Sequence, residues 1–184
     1  MMNILLIDGN TDSRINKLEK YLNGLVNLLI NNNHSVKHIK LRDKKINYCT
    51  GCWSCWVKTP GKCFVSDDSH DICYDFIHSD FVLFASPIIM GFTSALLKRL
   101  QDKLIPLVHP YIEIVQNECH HKKRYESYPN LGLLLDKSPN SDDEDVEIIE
   151  NIYKRFSLNL KSELCFTKIT NHNIEDVVHA INTI

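Results

Sequence analysis

Short apolar runs alternate with longer stretches of helical periodicity along this chain. Residues 3–7 (NILLI) are apolar and precede a turn at Asp8-Gly9-Asn10, which predicts a buried first strand. From Asp12 to Asn31 the apolar residues recur at helical spacing, so a helix is predicted there. Further strands are predicted at Val36–Leu41, Phe81–Ala85, Leu131–Leu135 and Leu164–Ile169.

Amphipathic segments separate the later strands. Helices are predicted after Asp67-Asp68, over Ser94–Leu104, from Asp142 onward and over Ile174–Ile184. Such alternation is typical of a parallel sheet covered by helices on both faces. We therefore predict one α/β domain over residues 1–184, with five parallel strands.

Two segments do not fit the alternation, a cysteine-rich loop at 47–66 and an insertion at 109–129. The insertion exceeds the usual loop length and carries His109, His120 and His121 among basic and aromatic residues. It could cover a ligand, bind an anion or contact another subunit. Charge-rich runs are usually solvated, so we interpret it as an exposed loop.

Composition narrows the function classes. The chain has 184 residues, a net charge of −2 and 43% hydrophobic residues, as in ordinary globular proteins. The near-neutral charge argues against nucleic-acid binding. The longest apolar stretch, Phe81–Phe92, is too short to span a membrane, and the N-terminus lacks the pattern of a signal peptide. We expect a cytoplasmic protein whose seven cysteines are metal ligands or redox groups rather than disulfides.

Ligands of such sheets bind beyond the carboxyl ends of the strands. Three segments lie there by their order in the chain: Gly9–Arg14, Asn47–Ser66 and Ser86–Ser94. The first leads into a helix start, where free N–H groups, hydroxyls and Arg14 suit a phosphate. The alternative is that Thr11 or Asp12 only caps the helix.

The second segment carries Cys49, Cys52, Cys55 and Cys63 in a C-x2-C-x2-C-x7-C pattern. Four thiolates at such short spacing suit an iron–sulfur cluster, whereas zinc sites more often use two separated pairs. Free thiols, a redox pair and structural zinc remain open alternatives. We expect the other cysteines to pack as small apolar groups, namely Cys73, Cys119 and Cys165.

The third segment, Ser86–Ser94, is apolar with a few hydroxyls. Its surface suits a planar aromatic ligand, which needs flat contacts and backbone N–H groups. The alternative is an ordinary connection in which Ser94 caps the next helix.

These motifs together resemble a known family. The four cysteines are followed by Asp67-Asp68, Ser79-Asp80, Ala85-Ser86-Pro87, Gly91, Ser94, Lys98 and Asp102. In this combination the chain resembles the NADPH-dependent FMN reductase superfamily and, within it, the iron–sulfur flavoproteins of flavodoxin-like fold. The resemblance implies a doubly wound sheet of strand order 2-1-3-4-5.

The resemblance also implies cofactors, partners and an activity. FMN would bind non-covalently with its phosphate near Asn10, Thr11 and Ser13, and a [4Fe–4S] cluster would bind the four cysteines. The flavin ring would lie against Ser86, Pro87, Ile88, Ile89, Met90 and Gly91. A homodimer or homotetramer would pass electrons from NAD(P)H or a ferredoxin-like donor to a small acceptor. No acid–base catalytic residue is identified.

Two departures from the family pattern keep a second function open. The first loop is shorter than the usual Gly-Ser-x-Arg stretch, and Ile89 stands where relatives commonly have tyrosine. The alternative is a flavodoxin-like protein with structural zinc or free thiols and weak or no flavin binding.

Overall fold

The computed structural model of the chain describes residues 1–12, 14 and 16–184. Its strands are β1 (Asn3–Asp8), β2 (Ser35–Lys40), β3 (Phe81–Ile89), β4 (Phe92–Thr93), β5 (Val108–Val115), β6 (Glu118–Lys123), β7 (Asn130–Asp136) and β8 (Leu164–Ile169). Its α-helices are α1 (Lys17–Asn31), α2 (Ser54–Val57), α3 (Ser69–Ile77), α4 (Ala95–Lys103), α5 (Asp143–Asn159) and α6 (Ile174–Asn182).

The main sheet confirms the predicted α/β class and corrects the number of strands. Five parallel strands follow one another in the order β2-β1-β3-β7-β8. Across the described residues the sheet has a sixth member, because the short β4 folds back antiparallel on the end of β3. The flavodoxin-like strand order is therefore present, with an added antiparallel hairpin at the end of the central strand β3.

The insertion is a second correction. It was predicted to be an exposed loop, but β5 and β6 pair antiparallel as a separate two-stranded sheet. The hairpin packs on α5, where His121 N donates to Asn159 Oδ1 at 3.1 Å and Arg155 pairs with Glu118. These contacts with α5 give the insertion a fixed structure.

Residues that alternate along the central strands fill two cores. Ile4 and Leu6 of β1 pack with α1 and α6 on one face of the sheet. Leu5 and Ile7 face the other side and pack with α3, α4 and α5. This is the double-sided burial expected of a parallel sheet. Within the described part of the chain, no helix has the length and apolarity needed to cross a membrane.

The first helix begins later than its hydrophobic pattern predicts. Its N-cap is Asn16, whose Oδ1 accepts a hydrogen bond from Glu19 N at 2.9 Å. Neither Thr11 nor Asp12 caps α1, so that interpretation of the first loop is wrong. The late start leaves a longer connection after β1 than predicted.

Candidate functional site

The loops that follow β1 and β3 meet at the start of α4. Gly9 N donates to the Ala85 carbonyl at 2.8 Å, and a Cβ atom at Gly9 would lie only 2.8 Å from Ser94 Oγ. A side chain at this position would push the two loops apart. Ser94 caps α4 by accepting a hydrogen bond from Leu97 N, as one alternative predicted.

In the first loop, backbone N–H groups donate hydrogen bonds to side-chain oxygens of the loop. Asn10 is buried, its N–H donates to Asp8 Oδ1 at 2.8 Å, and its Oδ1 accepts from Asp12 N at 3.1 Å. Thr11 is exposed, while the predicted ligand Ser13 lies outside the described residues. The loop thus has one buried amide and one exposed hydroxyl beside the helix start.

Arg14 does not point freely into this loop. Its guanidinium donates twice to the Asp12 carboxylate, at 3.0 Å from both Nε and Nη2. Those hydrogen bonds lower the pKa of Asp12 to about 2. The charge that was predicted to help hold a phosphate is therefore balanced by a neighbouring carboxylate.

A buried ionic cluster lies beside the end of β1, and the hydropathy pattern did not predict it. Asp8 is fully buried, with Arg42 Nη1 at 3.6 Å and His38 Nε2 at 3.3 Å. Arg42 Nη2 also donates to Glu19 at 2.6 Å, and Lys40 pairs with the same carboxylate. Burial alone would raise the pKa of Glu19, but the two cations outweigh it and the pKa is lowered. The sequence does place charged or titratable residues in β2 and directly after it, and these could have indicated an ionic cluster.

The segment predicted to face a flavin ring is the β3–β4 hairpin. Met90 and Gly91 form its turn with φ of +51° and +76°, and Met90 is 100% exposed. Ile89 is also exposed, whereas Pro87 is half-buried. The turn therefore presents apolar side chains and backbone to solvent.

Two members of the predicted flavin set are buried instead. Ile88 packs in the core beneath the hairpin. Ser86 Oγ accepts from Ser94 N at 2.8 Å and donates to the Pro87 carbonyl at 2.9 Å. The Ser86 hydroxyl therefore fixes α4 against β3.

The four predicted metal ligands line one cavity of about 540 Å³. Cys49 and Cys52 are exposed, Cys63 is half-buried and Cys55 is buried. Hydrogen bonds from Ser54 lower the pKa of Cys52, while burial and then the nearby Cys63 and Cys49 raise the pKa of Cys55. The fold brings all four cysteines to the lining of one cavity, and their role as metal ligands stays a prediction.

The arrangement of the donors distinguishes between kinds of metal site. Structural zinc needs four ligands at about 2.0–2.3 Å from one centre. In the part of the chain that the structure describes, no three His, Cys, Asp or Glu side chains converge in that way. In a cubane cluster each thiolate binds a different iron atom, so the four sulfurs surround a larger volume. The four thiols line a cavity of about 540 Å³ and supply the donor type that such a cluster uses.

A buried ion pair stands behind Cys63. Lys103 Nζ lies 3.0 Å from Cys63 Sγ and 3.1 Å from Asp67 Oδ2. Both the lysine and the aspartate side chains are only 1% exposed. The sequence analysis named Asp67 as part of the family motif, but it did not single out Lys103. The helical spacing of Leu96, Leu100 and Lys103 could have indicated that this lysine lies on the inner face of α4.

Aromatic side chains connect the cysteine loop to the rest of the site. Trp56 Nε1 donates to the Val108 carbonyl at 3.0 Å, and the ring lies 4.9 Å from that of His121. Burial lowers the pKa of His121. The Arg99 guanidinium stacks over Tyr48 at 4.3 Å, which ties the start of the loop to α4. The β5–β6 hairpin and α4 thus contact the cysteine loop from two sides.

The chain is similar to known proteins in both sequence and fold. The sequence model of the NADPH-dependent FMN reductase family matches residues 2–122. An iron-sulfur flavoprotein of Archaeoglobus fulgidus is 34% identical over 90 residues, which cover 49% of this chain and 40% of the relative. Another, of Methanocaldococcus jannaschii, is 41% identical over 69 residues, or 38% of this chain and 35% of the relative. The aligned regions thus span less than half of each curated relative.

A solved structure with the same fold covers the whole chain. It is an FMN-dependent NADH-azoreductase from Bacillus anthracis in complex with FMN, with a TM-score of 0.63 at 12% identity. The match covers 100% of this chain and 95% of the azoreductase. At that identity the comparison establishes the flavodoxin-like fold alone.

Proposed function

The chain belongs to the NADPH-dependent FMN reductase family, and we propose that it transfers electrons from NAD(P)H through bound FMN to a small acceptor. The observation that carries this proposal is the meeting of the β1 and β3 loops at the start of α4, where Gly9 approaches Ser94. Bound FMN supplies the hydride and electron chemistry, and the protein positions it.

The residues of the two loops suit different parts of FMN. Asn10, Thr11 and the start of α1 offer amide, hydroxyl and backbone donors to a phosphate. Ile89, Met90 and Gly91 offer an exposed apolar turn to the ring. We place the phosphate at the first loop and the isoalloxazine at the β3–β4 turn.

The placement of the phosphate is tested at Thr11. Thr11→Val keeps the shape of the side chain and removes its hydroxyl. A hydrogen bond to a charged group contributes about 1.5–3 kcal/mol, so the Kd for FMN should rise at least about tenfold. Fluorescence titration of the apoprotein with FMN measures this change. Thr183→Val, at the exposed end of α6, is the control and should bind FMN like wild type. Equal affinity in Thr11→Val would contradict the placement.

We also propose that Cys49, Cys52, Cys55 and Cys63 hold a [4Fe–4S] cluster. The support is their all-thiol donor set around one cavity and the naming of both curated relatives as iron-sulfur flavoproteins. A cluster there would let the chain pass single electrons to its acceptor. The same site would accept electrons if the donor were ferredoxin-like.

Metal analysis tests the cluster directly. Anaerobically purified protein should contain about four irons and four sulfides per chain, the content of one cubane. Cys55→Ser should lose most of that iron, and Cys165→Ser should keep it because Cys165 lies away from the cavity on β8. Protein that contains zinc instead of iron would contradict the cluster and support structural zinc. Protein with four free thiols and no metal would contradict the cluster and support the free-thiol alternative.

A homodimer or homotetramer is the proposed working form, and the cytoplasm is the proposed compartment. The support for assembly is a set of exposed apolar side chains around the β3–β4 turn and α5. A reducing compartment would keep the cysteine-loop thiols available for iron.

A further inference from the structure

The ion pair behind the cysteine loop is unusual because it is buried and touches a thiol. A lysine with 1% exposure is costly unless its charge is balanced and its hydrogen bonds are made. Lys103 Nζ lies 3.1 Å from Asp67 Oδ2 and 3.0 Å from Cys63 Sγ, so the carboxylate balances the ammonium charge directly beside the Cys63 sulfur.

Asp67 fixes the position of this charge. Its carboxylate accepts hydrogen bonds from Asn47 N at 2.9 Å and from Ser69 N at 3.0 Å, besides contacting Lys103. The backbone on both sides of the loop thus holds the carboxylate, and the carboxylate holds the ammonium. On the other side, His70 Nε2 donates to the Cys63 carbonyl at 2.9 Å, which fixes the cysteine itself.

Positive charge and N–H donors at a cluster sulfur favour the reduced state, which carries one more electron. Among the contacts of the described residues, Cys63 is the one thiol of the loop with a charged side-chain donor, whereas Cys52 receives neutral hydrogen bonds from Ser54 and Thr50. We propose that Lys103 is a positioning residue that donates a charge-assisted hydrogen bond to Cys63 and raises the reduction potential of the bound cluster. This inference rests on the proposed cluster and deepens that function.

The test removes the donor and keeps the length of the side chain. Lys103→Met is expected to fold, because Asp67 keeps its backbone donors from Asn47 and Ser69. The holoprotein is titrated with redox mediators, and the reduced cluster is followed by electron paramagnetic resonance. At a fixed potential, the ratio of reduced to oxidised cluster should fall at least about tenfold, which equals a midpoint about 59 mV lower.

Two matched variants separate the hydrogen bond from other effects. Lys103→Arg keeps a charged donor and should restore the wild-type ratio to within about threefold, given that tenfold corresponds to 59 mV. Lys154→Met removes a lysine that pairs with Glu150 at the surface of α5 and should leave the ratio unchanged. If Lys103→Met fails to fold, Asp67→Asn combined with Lys103→Met removes both charges and should still lower the ratio.

The outcomes distinguish this inference from the function on which it rests. Wild-type protein without iron would overturn the cluster and the inference together. A full complement of iron in the lysine variants with an unchanged midpoint would overturn the inference alone. A lower midpoint in Lys103→Met that Lys103→Arg restores would support both.

Discussion

At the scale of single residues, Gly91 holds the β3–β4 turn in a backbone conformation that side chains rarely adopt. Its φ is +76°, and a Cβ atom there would lie 2.9 Å from Asp145 Oδ1 at the start of α5. Gly51 has a similar φ of +64° but open space around it. The two glycines therefore share a conformational requirement and differ in steric surroundings.

We predict that Gly91→Ala destabilises the protein more than Gly51→Ala does. Each substitution should cost about 1–2 kcal/mol for the left-handed conformation, and Gly91→Ala should cost more because Asp145 must move. Urea denaturation of both variants measures the difference in the free energy of unfolding. The affinity for FMN should also fall in Gly91→Ala. Equal destabilisation of the two variants would show that the contact with Asp145 is unimportant.

Asp67 should make stability depend on pH. Burial would raise the pKa of its carboxyl, but hydrogen bonds from Ser69, Asn47 and Lys103 hold the pKa well below its usual value. Because the pKa is lower in the folded state, the ionised carboxylate stabilises the protein at pH values above its unfolded pKa of about 3.9. This stabilisation is lost as the pH falls from that value toward the folded-state pKa.

We therefore expect wild type to lose about 1 kcal/mol more stability than Asp67→Asn between pH 7 and pH 3, a window in which the unfolded carboxylate is protonated first. Urea denaturation of the apoprotein at both pH values measures this difference. Asp71→Asn, in the first turn of α3 and exposed, is the control and should follow wild type. Parallel curves for wild type and Asp67→Asn would contradict the role of the hydrogen-bonded carboxylate.

At the scale of elements, capping chemistry predicted α5 better than periodicity did. The acidic run was expected to open the helix, and Asp142 and Asp145 form a reciprocal capping box there. The apolar spacing of the segment predicts an inner face made of Ile148, Ile149, Ile152 and Phe156. Instead Ile149 and Tyr153 are buried, while Ile148 and Ile152 are exposed. The four apolar residues lie within one stripe of about 100°, but the buried face is rotated from it toward Tyr153 and Ser157, which the apolar pattern alone could not show.

The capping box gives a prediction at this scale. Asp142→Ala should destabilise the protein by about 1 kcal/mol, since it leaves an N–H of the first turn without a partner. Asp143→Ala removes only an exposed ion pair with Lys137 and should destabilise the protein less than Asp142→Ala does. Thermal denaturation compares the two. A larger effect at Asp143 would show that the general charge of the helix start matters more than the cap.

The β5–β6 hairpin could not be predicted from its sequence for a physical reason. Its turn, Gln116-Asn117, has positive φ at both positions, a conformation that Asn-Gly or Asp-Gly usually supplies. Apolar side chains do not alternate cleanly along it, and Ile112 and Ile114 are both exposed. Contacts with α5 fix the hairpin, and those become visible only in three dimensions.

At the scale of the whole molecule, the parallel sheet and its double-sided burial followed from apolar runs that alternate with helices, whereas the strand order followed from the family resemblance. The meeting of the β1 and β3 loops at one end of the sheet also followed, because parallel strands place their carboxyl ends together. What the sequence did not indicate are side chains that meet across elements, such as Arg42 with Asp8 and Lys103 with Cys63. Those pairs depend on packing distances that no linear pattern encodes.

Several apolar side chains near the β3–β4 turn and on α5 lie outside both cores and are exposed. Ile148 lies one turn after Asp145, which contacts the β3–β4 turn, and it is 47% exposed. Met90 and Ile152 extend the same apolar surface, a composition that favours subunit contact. A charge placed there would have to be buried without a partner, so Ile148→Lys should convert the assembly to monomers. Ile30→Lys, on α1 at 50% exposure, is the matched control and should leave the assembly intact. Sedimentation velocity over a range of concentrations measures both, and a wild-type chain that stays monomeric throughout would refute assembly through this surface.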